Sequence, residues 1–258
     1  MTKKINLIFK ISFWLLLAIN VIGMLYEPPL PPPSELLPEI KNEPTQEAID
    51  EEEIKLLAEG HKYTLEPRFS YELYGLVVSL YDSDSLIDIT HKNDPKNVRD
   101  LCVIWGENAL SNGYREVSYR SGEFTCFWRW RGEKPEFSQR DISNNHILPM
   151  SPAISDMARE VNIGDQIYIK GKLVDYSVEL PDGTLVGKRT TSTNRTDTGN
   201  GACEVVYVED IEILKRGNTW YYNTKEVAKY GIWYLIAGWI IFNIIMYQVN
   251  RQKRTESL

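Results

Sequence analysis

Two long apolar stretches lie at the ends of this chain and enclose a region in which apolar and polar residues alternate. Residues 5–26 are almost all apolar, and residues 230–249 contain no charged side chain over twenty positions. Because an α-helix rises about 1.5 Å per residue, these stretches would form helices about 33 Å and about 30 Å long, enough to cross the hydrocarbon core of a membrane. The pattern therefore predicts a transmembrane helix at each end.

The basic residues predict how the two helices are oriented. Lys3, Lys4 and Lys10 lie at the start of the first stretch, and no basic residue follows it before Lys41. Positively charged residues are retained on the cytoplasmic side of a membrane, so the N-terminus is predicted to be cytoplasmic. Two spans then return the C-terminus to the same side. The region between the spans is predicted to lie outside the cytoplasm, in the periplasm or the extracellular space.

A cleaved secretory signal peptide is the alternative interpretation of the first stretch, because a basic start followed by an apolar segment also describes such peptides. No A-x-A-like cleavage site follows; the nearest candidate ends at Gly23, with Val21 before it. We therefore predict an anchor that is not cleaved. Both interpretations export the middle of the chain.

Each predicted span carries one asparagine near its middle, Asn20 in the first and Asn243 in the second. A buried amide in lipid usually faces another helix. In an antiparallel pair the two asparagines would lie at depths about 10 Å apart, so they are not expected to contact each other. We interpret them as contacts to a second copy of the chain or to another membrane protein, or as residues at a water-accessible spot. A tolerated lone asparagine is the alternative.

The segment after the first span is rich in proline and then in acidic residues. Residues 27–44 contain seven prolines, a composition that favours extended polyproline II and predicts a semi-rigid stalk. Residues 45–60 predict a short acidic helix, with Thr45 as the N-cap, acidic side chains in the first turns and Gly60 at the end.

From Tyr63 to Leu214 the hydrophobic pattern has the period of two that is typical of β-strands. It is clearest in residues 166–174. Gly75 and Gly171 fall inside predicted strands, where a glycine often marks a bulge or a sharp bend. The order of a long first strand, a later strand with a central glycine and a closing strand is similar to that of a small OB-like β-barrel. An SH3-like barrel or a sandwich fits nearly as well.

The predicted fold class is therefore mainly β, with a small OB-like barrel between an N-terminal and a C-terminal transmembrane helix. The predicted organisation is a cytoplasmic N-terminus (1–4), a transmembrane helix (5–26), a proline-rich stalk (27–44), a short acidic helix (45–60), an extracytoplasmic β-barrel domain (61–217), a juxtamembrane segment (218–229), a second transmembrane helix (230–249) and a cytoplasmic tail (250–258).

Three segments of the β region resemble a family of bacterial inner-membrane-anchored proteins that have an OB-like β domain and no assigned activity. They are DLCVIWGEN (100–108), SNNHILP (143–149) and TDTGNGACEVVYVEDIEIL (196–214). The resemblance implies a bacterial inner-membrane protein. It carries no catalytic residues that could be transferred to this chain.

The chain has three cysteines, which can form a disulfide if the domain lies outside the reducing cytosol. Cys126 falls on the apolar face of its strand and Cys102 lies inside another apolar strand, so Cys102–Cys126 is our first choice among three possible pairings. Cys203 would then be a thiol or would bridge to a second copy. Three reduced, buried thiols are the alternative. No CxxC or HxxxH spacing occurs, so we predict no metal site and no cofactor.

The run Trp128-Arg129-Trp130-Arg131 joins aromatic and basic residues on one strand. OB-folds hold oligonucleotides and oligosaccharides with such residues, so Arg129 and Arg131, together with His146, are candidate ligand-binding residues. The alternative is that the tryptophans fill the core and the arginines pair with acidic side chains. The net charge of −7 makes nucleic acid an unlikely partner.

Catalytic chemistry has weaker support in the sequence. Of the three histidines, His61, His91 and His146, the last has Asp141 close to it in the chain, so an envelope hydrolase that uses this pair is the alternative function. No G-x-S-x-G, phosphate-loop or H-E-x-x-H motif supplies a nucleophile or a metal. Our first hypothesis is therefore a non-enzymatic, membrane-anchored protein that binds or scaffolds another envelope component.

Overall fold

The computed structural model describes residues 2–26, 28–83, 93–122, 125–195 and 203–255. The chain divides into two compact units. One consists of Met1–Pro28 and Asn218–Leu258, and the other of Pro29–Gly217. The β-rich unit therefore begins at Pro29 and not at residue 61, where the sequence pattern had placed its start.

The first unit consists of the two apolar helices. Helix α1 spans Thr2–Leu25 and helix α4 spans Thr219–Thr255. Each contains a segment long and apolar enough to cross a membrane, Lys4–Gly23 in α1 and Thr219–Val249 in α4. Both predicted helices are thus present. The segment predicted as a separate juxtamembrane region, 218–229, forms the first turns of α4.

The two helices pack against each other in antiparallel directions. The rings of Phe9 and Trp239 stack with their centroids 5.7 Å apart, and Gly231 lies against the side chain of Leu16. At the other end, the hydroxyl of Tyr221 lies 2.5 Å from the carbonyl oxygen of Gly23. Because α1 ends near that point, the tyrosine supplies a partner for a carbonyl that no further helical turn can satisfy.

The asparagines of the two apolar helices do not contact each other. The side-chain amide of Asn20 donates to the carbonyl of Leu16, at 2.9 Å, and that of Asn243 donates to the carbonyl of Trp239, at 2.7 Å. The contacts of α1 with α4 place Asn20 level with about residue 228, so the two amides are about 22 Å apart along the helix axes. This difference in depth is larger than the 10 Å predicted.

The second unit is built mainly from strands. Its strands are β1 (Thr45–Ala48), β2 (Ile54–Ala58), β3 (His61–Asp82), β4 (Arg99–Ile104), β5 (Ser118–Gly122), β6 (Thr125–Arg129), β7 (Ile142–Pro149), β8 (Gln166–Glu179), β9 (Leu185–Arg189) and β10 (Glu204–Lys215). Its helices are α2 (Gly106–Leu110) and α3 (Pro152–Glu160), with 3-10 turns at Pro33–Glu35, Pro38–Lys41 and Gly113–Glu116.

Five of these strands pair in a ring. Strand β3 pairs with β4, β4 with β7, β7 with β10, β10 with β8, and β8 again with β3. Every pair in the ring is antiparallel except β7 with β10, which is parallel. Strands β1 and β2 add to β3, β9 adds to β8, and β5 and β6 form a separate two-stranded hairpin. The prediction of a mainly β chain with an apolar helix at each end is confirmed.

Apolar side chains at alternate positions of the strands fill the inside of the ring. In β8, Ile167, Ile169 and Leu173 are fully buried, as predicted from their period of two, whereas Lys170 is exposed. Gly171 lies in the same strand at a close approach to β10, because a Cβ at this position would meet the carbonyl oxygen of Tyr207 at 2.2 Å. A glycine is needed there to let two strands of the ring come together.

Residues 45–60 are not a helix, contrary to prediction. Strands β1 and β2 occupy most of this segment and both pair with β3. Ile54 and Leu56 alternate with the exposed Lys55 and Leu57 and pack against an apolar cluster of the domain, while the four consecutive acidic residues 50–53 fall in the connection between the two strands. A free edge of β3 offers hydrogen bonds along a whole strand, which outweighs the weak helix signal of a short acidic segment.

The proline-rich segment is also different from the predicted stalk. It packs onto the domain, where Leu36 and Ile40 are buried in an apolar cluster. The side chain of Gln166 accepts from the backbone N–H of Leu37 at 2.7 Å and donates to the carbonyl of Glu35 at 3.0 Å. The aliphatic residues between the prolines therefore make this segment part of the domain rather than a spacer.

Candidate functional site

A cluster of polar side chains lies on the face of β4 and β7 that points away from the ring core. Asp100 and Cys102 share this face of β4, and Asn144 and His146 share it on β7, because neighbouring residues of a strand point to opposite sides. The strand register places Asp100 opposite His146 and Cys102 opposite Asn144. Cys203 lies directly before β10, whose first residues pair with the same part of β7.

Hydrogen bonds join these side chains into one network. Nδ1 of His146 lies 2.7 Å from Oδ1 of Asp100, which also accepts from the amide of Asn97 at 3.2 Å. The amide of Asn144 donates to Oδ2 of Asp100 at 3.4 Å and to Sγ of Cys203 at 3.8 Å. Cys203 also forms a side-chain hydrogen bond with His146. A carboxylate, an imidazole, an amide and a thiol thus meet in one place.

The carboxylate and the imidazole of this network are almost completely buried. Asp100 is 0 % exposed and His146 4 % exposed, whereas Cys203 is half-buried. Burial by itself lowers the pKa of His146, but the Asp100 carboxylate and the Cys203 side chain together raise it from 6.5 to about 10. The imidazole is therefore protonated and positively charged at neutral pH.

Asp141, predicted as the partner of His146, does not contact it. Oδ2 of Asp141 instead accepts from the backbone N–H of Glu107 at 3.2 Å, and its carboxyl group lies against Gly106 at the start of α2. Burial raises the pKa of this carboxyl group. Asp141 precedes His146 by five residues along an extended strand, which separates them by about 16 Å. The prediction of Asp141 as the partner was wrong, because side chains in a sheet contact residues of the neighbouring strand rather than residues farther along their own strand.

A cavity of about 310 Å³ opens beside the network. Cys203 and Asn144 form part of its wall, and Phe127 and Trp128 of the β5–β6 hairpin form another part. Arg195 also lines it. The cavity therefore connects the buried polar network with the surface of the hairpin, and its volume is at the lower end of the range for ligand sites.

Arg195 is held in place by ionic and aromatic contacts. Its guanidinium group lies 3.2 Å from Oε1 of Glu204, and its carbon Cζ lies 5.3 Å from the ring centre of Trp105 and 5.7 Å from that of Tyr71. Such cation–π contacts stabilise a cation that is partly removed from water. The fixed guanidinium group supplies a positive charge at the wall of the cavity.

The predicted disulfide between Cys102 and Cys126 is present, with the two Cα atoms 5.8 Å apart. It links β4 of the ring to β6 of the hairpin. Cys126 and Trp128 pack inward against an apolar cluster, which confirms the predicted apolar face of this strand. Cys203 is the cysteine outside the disulfide.

Of the candidate ligand-binding arginines, Arg129 lies on the opposite face of β6, and Arg131 follows the end of that strand. Arg129 and Arg131 are both exposed, and so is Arg120 on the neighbouring strand. The register pairs Arg120 with Phe127, whose side chain is 55 % exposed. No ion pair or hydrogen bond joins any of the three arginine side chains to another residue within the described ranges. The three predicted ligand-binding residues therefore do not form one site: His146 is buried, whereas Arg129 and Arg131 face solvent.

The remaining histidines do not contribute to the network. His61 is half-buried at the start of β3, where its ring nitrogen Nδ1 lies 3.0 Å from the carbonyl oxygen of Glu59. His91 lies outside the described residues. Among the three predicted candidates, His146 alone is described in a polar network with a carboxylate.

Sequence reasoning missed Asp100, Asn144 and Cys203 as members of this network. One signal was available: Asp100 is an acidic residue next to the apolar run 101–104 of its strand, and Asn144 and His146 alternate in a strand that is buried at all eight positions. Buried polar residues at alternate strand positions indicate that polar partners lie on a neighbouring strand. The identity of that neighbour required the register.

No group of three or more His, Cys, Asp or Glu side chains in the described ranges has a geometry that could hold a metal ion. Comparisons with known proteins add no further constraint, because no family model, no curated protein and no solved structure matches this chain. The geometry of the β domain and the composition of its two helices are therefore the basis for a functional proposal.

Proposed function

We propose that this chain is a membrane-anchored binding protein of the bacterial envelope, whose OB-like barrel binds an anionic glycan through the exposed face of the β5–β6 hairpin. The barrel would lie outside the cytoplasm, held by α1 and α4, with both termini in the cytoplasm. This orientation is supported by the lysines before the first apolar stretch.

The ring of strand pairings supports an OB-like barrel. Numbered along the ring-forming strands, β3, β4, β7, β8 and β10 are the first to fifth, and they pair in the order 1-2-3-5-4-1. The third and fifth strands are parallel, and a helix, α3, lies between the third and the fourth. This order agrees with the one expected for an OB-fold, which favours an OB-like barrel over an SH3-like barrel or a sandwich.

The position of the hairpin next to β4 and β7 supports a role in ligand binding. In that fold the face of the second and third strands holds oligonucleotides or oligosaccharides. Here those strands are β4 and β7, and the chain between them forms the β5–β6 hairpin, which the Cys102–Cys126 disulfide ties to β4. The inserted hairpin covers part of the usual face and presents a new outer surface in its place.

The charge of that outer surface is the observation that carries the proposal. Arg120, Arg129 and Arg131 are exposed together with Phe127, and neither strand of the hairpin contains an acidic residue. The whole chain has a net charge of −7. A local positive surface on an acidic protein attracts an anionic ligand, and an exposed aromatic ring adds a flat apolar contact.

An anionic glycan fits this surface better than nucleic acid does, because the proposed position outside the cytoplasm exposes the hairpin to envelope polysaccharides. Only a few arginines are involved, so the binding would be weak for each repeat of the polymer and would strengthen with polymer length. It would also decrease as the salt concentration rises.

The test compares the binding of dextran sulfate and neutral dextran to the full chain in detergent. We expect the sulfated polymer to bind and the neutral one not to bind. The triple variant Arg120→Gln, Arg129→Gln, Arg131→Gln should bind dextran sulfate about tenfold more weakly or worse. The matched control is Lys55→Gln, Lys62→Gln, Lys170→Gln, which removes three charges from other surfaces of the domain and should bind as the wild type does.

Equal losses in both triple variants would contradict the proposal, since they would show a response to net charge and not to the hairpin. A single-stranded oligonucleotide of equal charge that binds more tightly than dextran sulfate would also contradict a glycan ligand.

A further inference from the structure

We propose that Cys203 is the nucleophile of an acyl-transfer site, with His146 as its proton donor and acceptor and Asp100 as the residue that positions the imidazole. The substrate class is a small ester or amide that enters the cavity beside Cys203. This inference goes beyond the proposed glycan binding and does not depend on it.

The arrangement of the three side chains is that of an assisted nucleophile. The thiol of Cys203 hydrogen-bonds to His146, and Nδ1 of that ring lies 2.7 Å from Oδ1 of Asp100. Because Nδ1 is engaged by the carboxylate, Nε2 is the nitrogen that can exchange a proton at the sulfur. A nucleophile, a base and a group that orients the base are the three parts that thiol-dependent acyl transfer requires.

The sulfur also has access to a substrate. Cys203 is half-buried and forms part of the wall of the 310 Å³ cavity, whereas Asp100 and His146 lie behind it. The two other cysteines are joined in a disulfide. A reactive thiol at the surface of a cavity, with its base shielded from water, can attack a bound carbonyl group while its proton stays inside the protein.

Asn144 independently indicates that a ligand occupies this cavity. Its side chain is 2 % exposed and lines the cavity, and its amide nitrogen lies 3.8 Å from Sγ of Cys203. Its oxygen Oδ1 has no hydrogen-bond partner among the described residues. A buried amide oxygen without a partner is costly, and a ligand N–H or O–H at this position would satisfy it. This favours an amide, or an ester of a ligand that carries a hydroxyl group.

The proposed reaction has two balanced steps. In the first, Cys203 reacts as a thiolate paired with the protonated His146: its sulfur electron pair forms an S–C bond to the substrate carbonyl carbon, the bond from that carbon to the leaving nitrogen or oxygen breaks, and the leaving group takes the proton from His146. In the second, water forms an O–C bond to the same carbon, the S–C bond breaks, and His146 receives the proton from water. A carboxylic acid and an amine or alcohol result, and no oxidant or reductant is needed.

The first experiment measures alkylation of Cys203 by chloroacetamide in the full chain at pH 6, followed by intact mass. We expect the thiol to react at least about tenfold faster than N-acetylcysteine under the same conditions. His146→Gln and Asp100→Asn should each slow the reaction about tenfold or more. The matched controls are His61→Gln and Asp156→Asn, which change a histidine and an aspartate elsewhere in the domain and should react as the wild type does.

The second experiment offers the full chain p-nitrophenyl acetate. We expect a burst of about one p-nitrophenolate per chain and an acetyl group on Cys203, which hydroxylamine removes because it is a thioester. Cys203→Ser should abolish the burst and the hydroxylamine-sensitive acetyl group. Acetylation that leaves Cys203 unmodified, or the same burst in Cys203→Ser, would overturn the proposal.

Two further comparisons make the result decisive. If His146→Gln does not fold, as judged by circular dichroism, the comparison of wild-type Cys203 with N-acetylcysteine decides, and an equal or lower rate for Cys203 overturns the proposal. The triple arginine variant should be alkylated and acetylated at the wild-type rate. Failure of glycan binding and failure of thiol chemistry are therefore observed separately.

Discussion

His146 and Asp100 face each other across the pair formed by β7 and β4, and their side chains form a charged hydrogen bond of 2.7 Å although the residues are 46 positions apart in the chain. Removing one partner of a buried ion pair strongly destabilises the folded protein, because the other charge is then buried without compensation. The pair is therefore a structural element of the domain as well as the base of the proposed thiol site.

Stability should depend on pH through this pair. The pKa of His146 is raised from 6.5 to about 10 in the folded chain, so the folded state binds the proton more tightly than the unfolded state does. The resulting stabilisation is fully present below about pH 6.5 and is lost as the pH rises through 10. Between pH 7 and pH 10.5 we expect the Tm of the wild type to fall by about 4 °C more than that of His146→Gln, measured by thermal unfolding.

His61→Gln is the control for this effect and should keep the wild-type pH dependence, because His61 makes no ion pair among the described residues. Parallel curves for the wild type and His146→Gln would show that the imidazole is not charged in the folded chain.

The disulfide should contribute strongly to the stability of the hairpin. Cys102 and Cys126 are 24 residues apart, and closing a loop of this size stabilises a fold by roughly 3 kcal/mol in the chain-entropy model. We expect Cys126→Ser to lower the free energy of unfolding by about 2–4 kcal/mol, measured by urea denaturation of the chain in detergent. Dithiothreitol should destabilise the wild type to the same level and should have little effect on the variant. Equal stability of the wild type with and without reductant would contradict the prediction.

The proline-rich segment should be needed for the folded domain. Ile40 is fully buried, so Ile40→Ala should lower the free energy of unfolding by about 2–5 kcal/mol. Leu57→Ala is the control: this side chain is 71 % exposed and its truncation should change the stability by less than about 0.5 kcal/mol. If both substitutions had the same small effect, the segment would be a spacer, as its composition predicts.

Gly171 should tolerate no side chain. A Cβ there would meet the carbonyl oxygen of Tyr207 at 2.2 Å, and backbone of the facing strand cannot move without disturbing the ring. We expect Gly171→Ala to cost about 2 kcal/mol or more. Gly187→Ala, at a strand position where a Cβ would meet no atom within 4 Å, should be neutral or slightly stabilising in the same denaturation experiment.

The proposed orientation is tested with two reporters in a bacterial host. Alkaline phosphatase, inserted in the exposed turn between Asp182 and Gly183, should be active because it folds outside the cytoplasm. Green fluorescent protein fused after Leu258 should fluoresce because that end is expected to be cytoplasmic. The opposite pair of results would reverse the orientation, and fluorescence without phosphatase activity would place both regions in the cytoplasm.

Features that depend on local composition could be predicted from the sequence. The two helices follow from long runs of apolar residues, and the inward packing of Cys126 and Trp128 follows from alternation along one strand. The disulfide could also be predicted, since its cysteines lie at apolar positions of strands that are close to each other in the chain. In each case the physical cause acts within one segment, through the preference of apolar side chains for a non-aqueous environment.

The tertiary structure decided which residues meet. Asp100, and not Asp141, is the partner of His146, because the register between β4 and β7 selects it and no local pattern encodes that register. The same reason explains why residues 45–48 and 54–58 form strands paired with β3. It also explains why Ile40, within the proline-rich segment, is buried in an apolar cluster of the domain. Long-range pairing and burial outweigh local propensity, so the sequence alone determined the two apolar helices and the class of fold, and the packing of distant strands determined the candidate site.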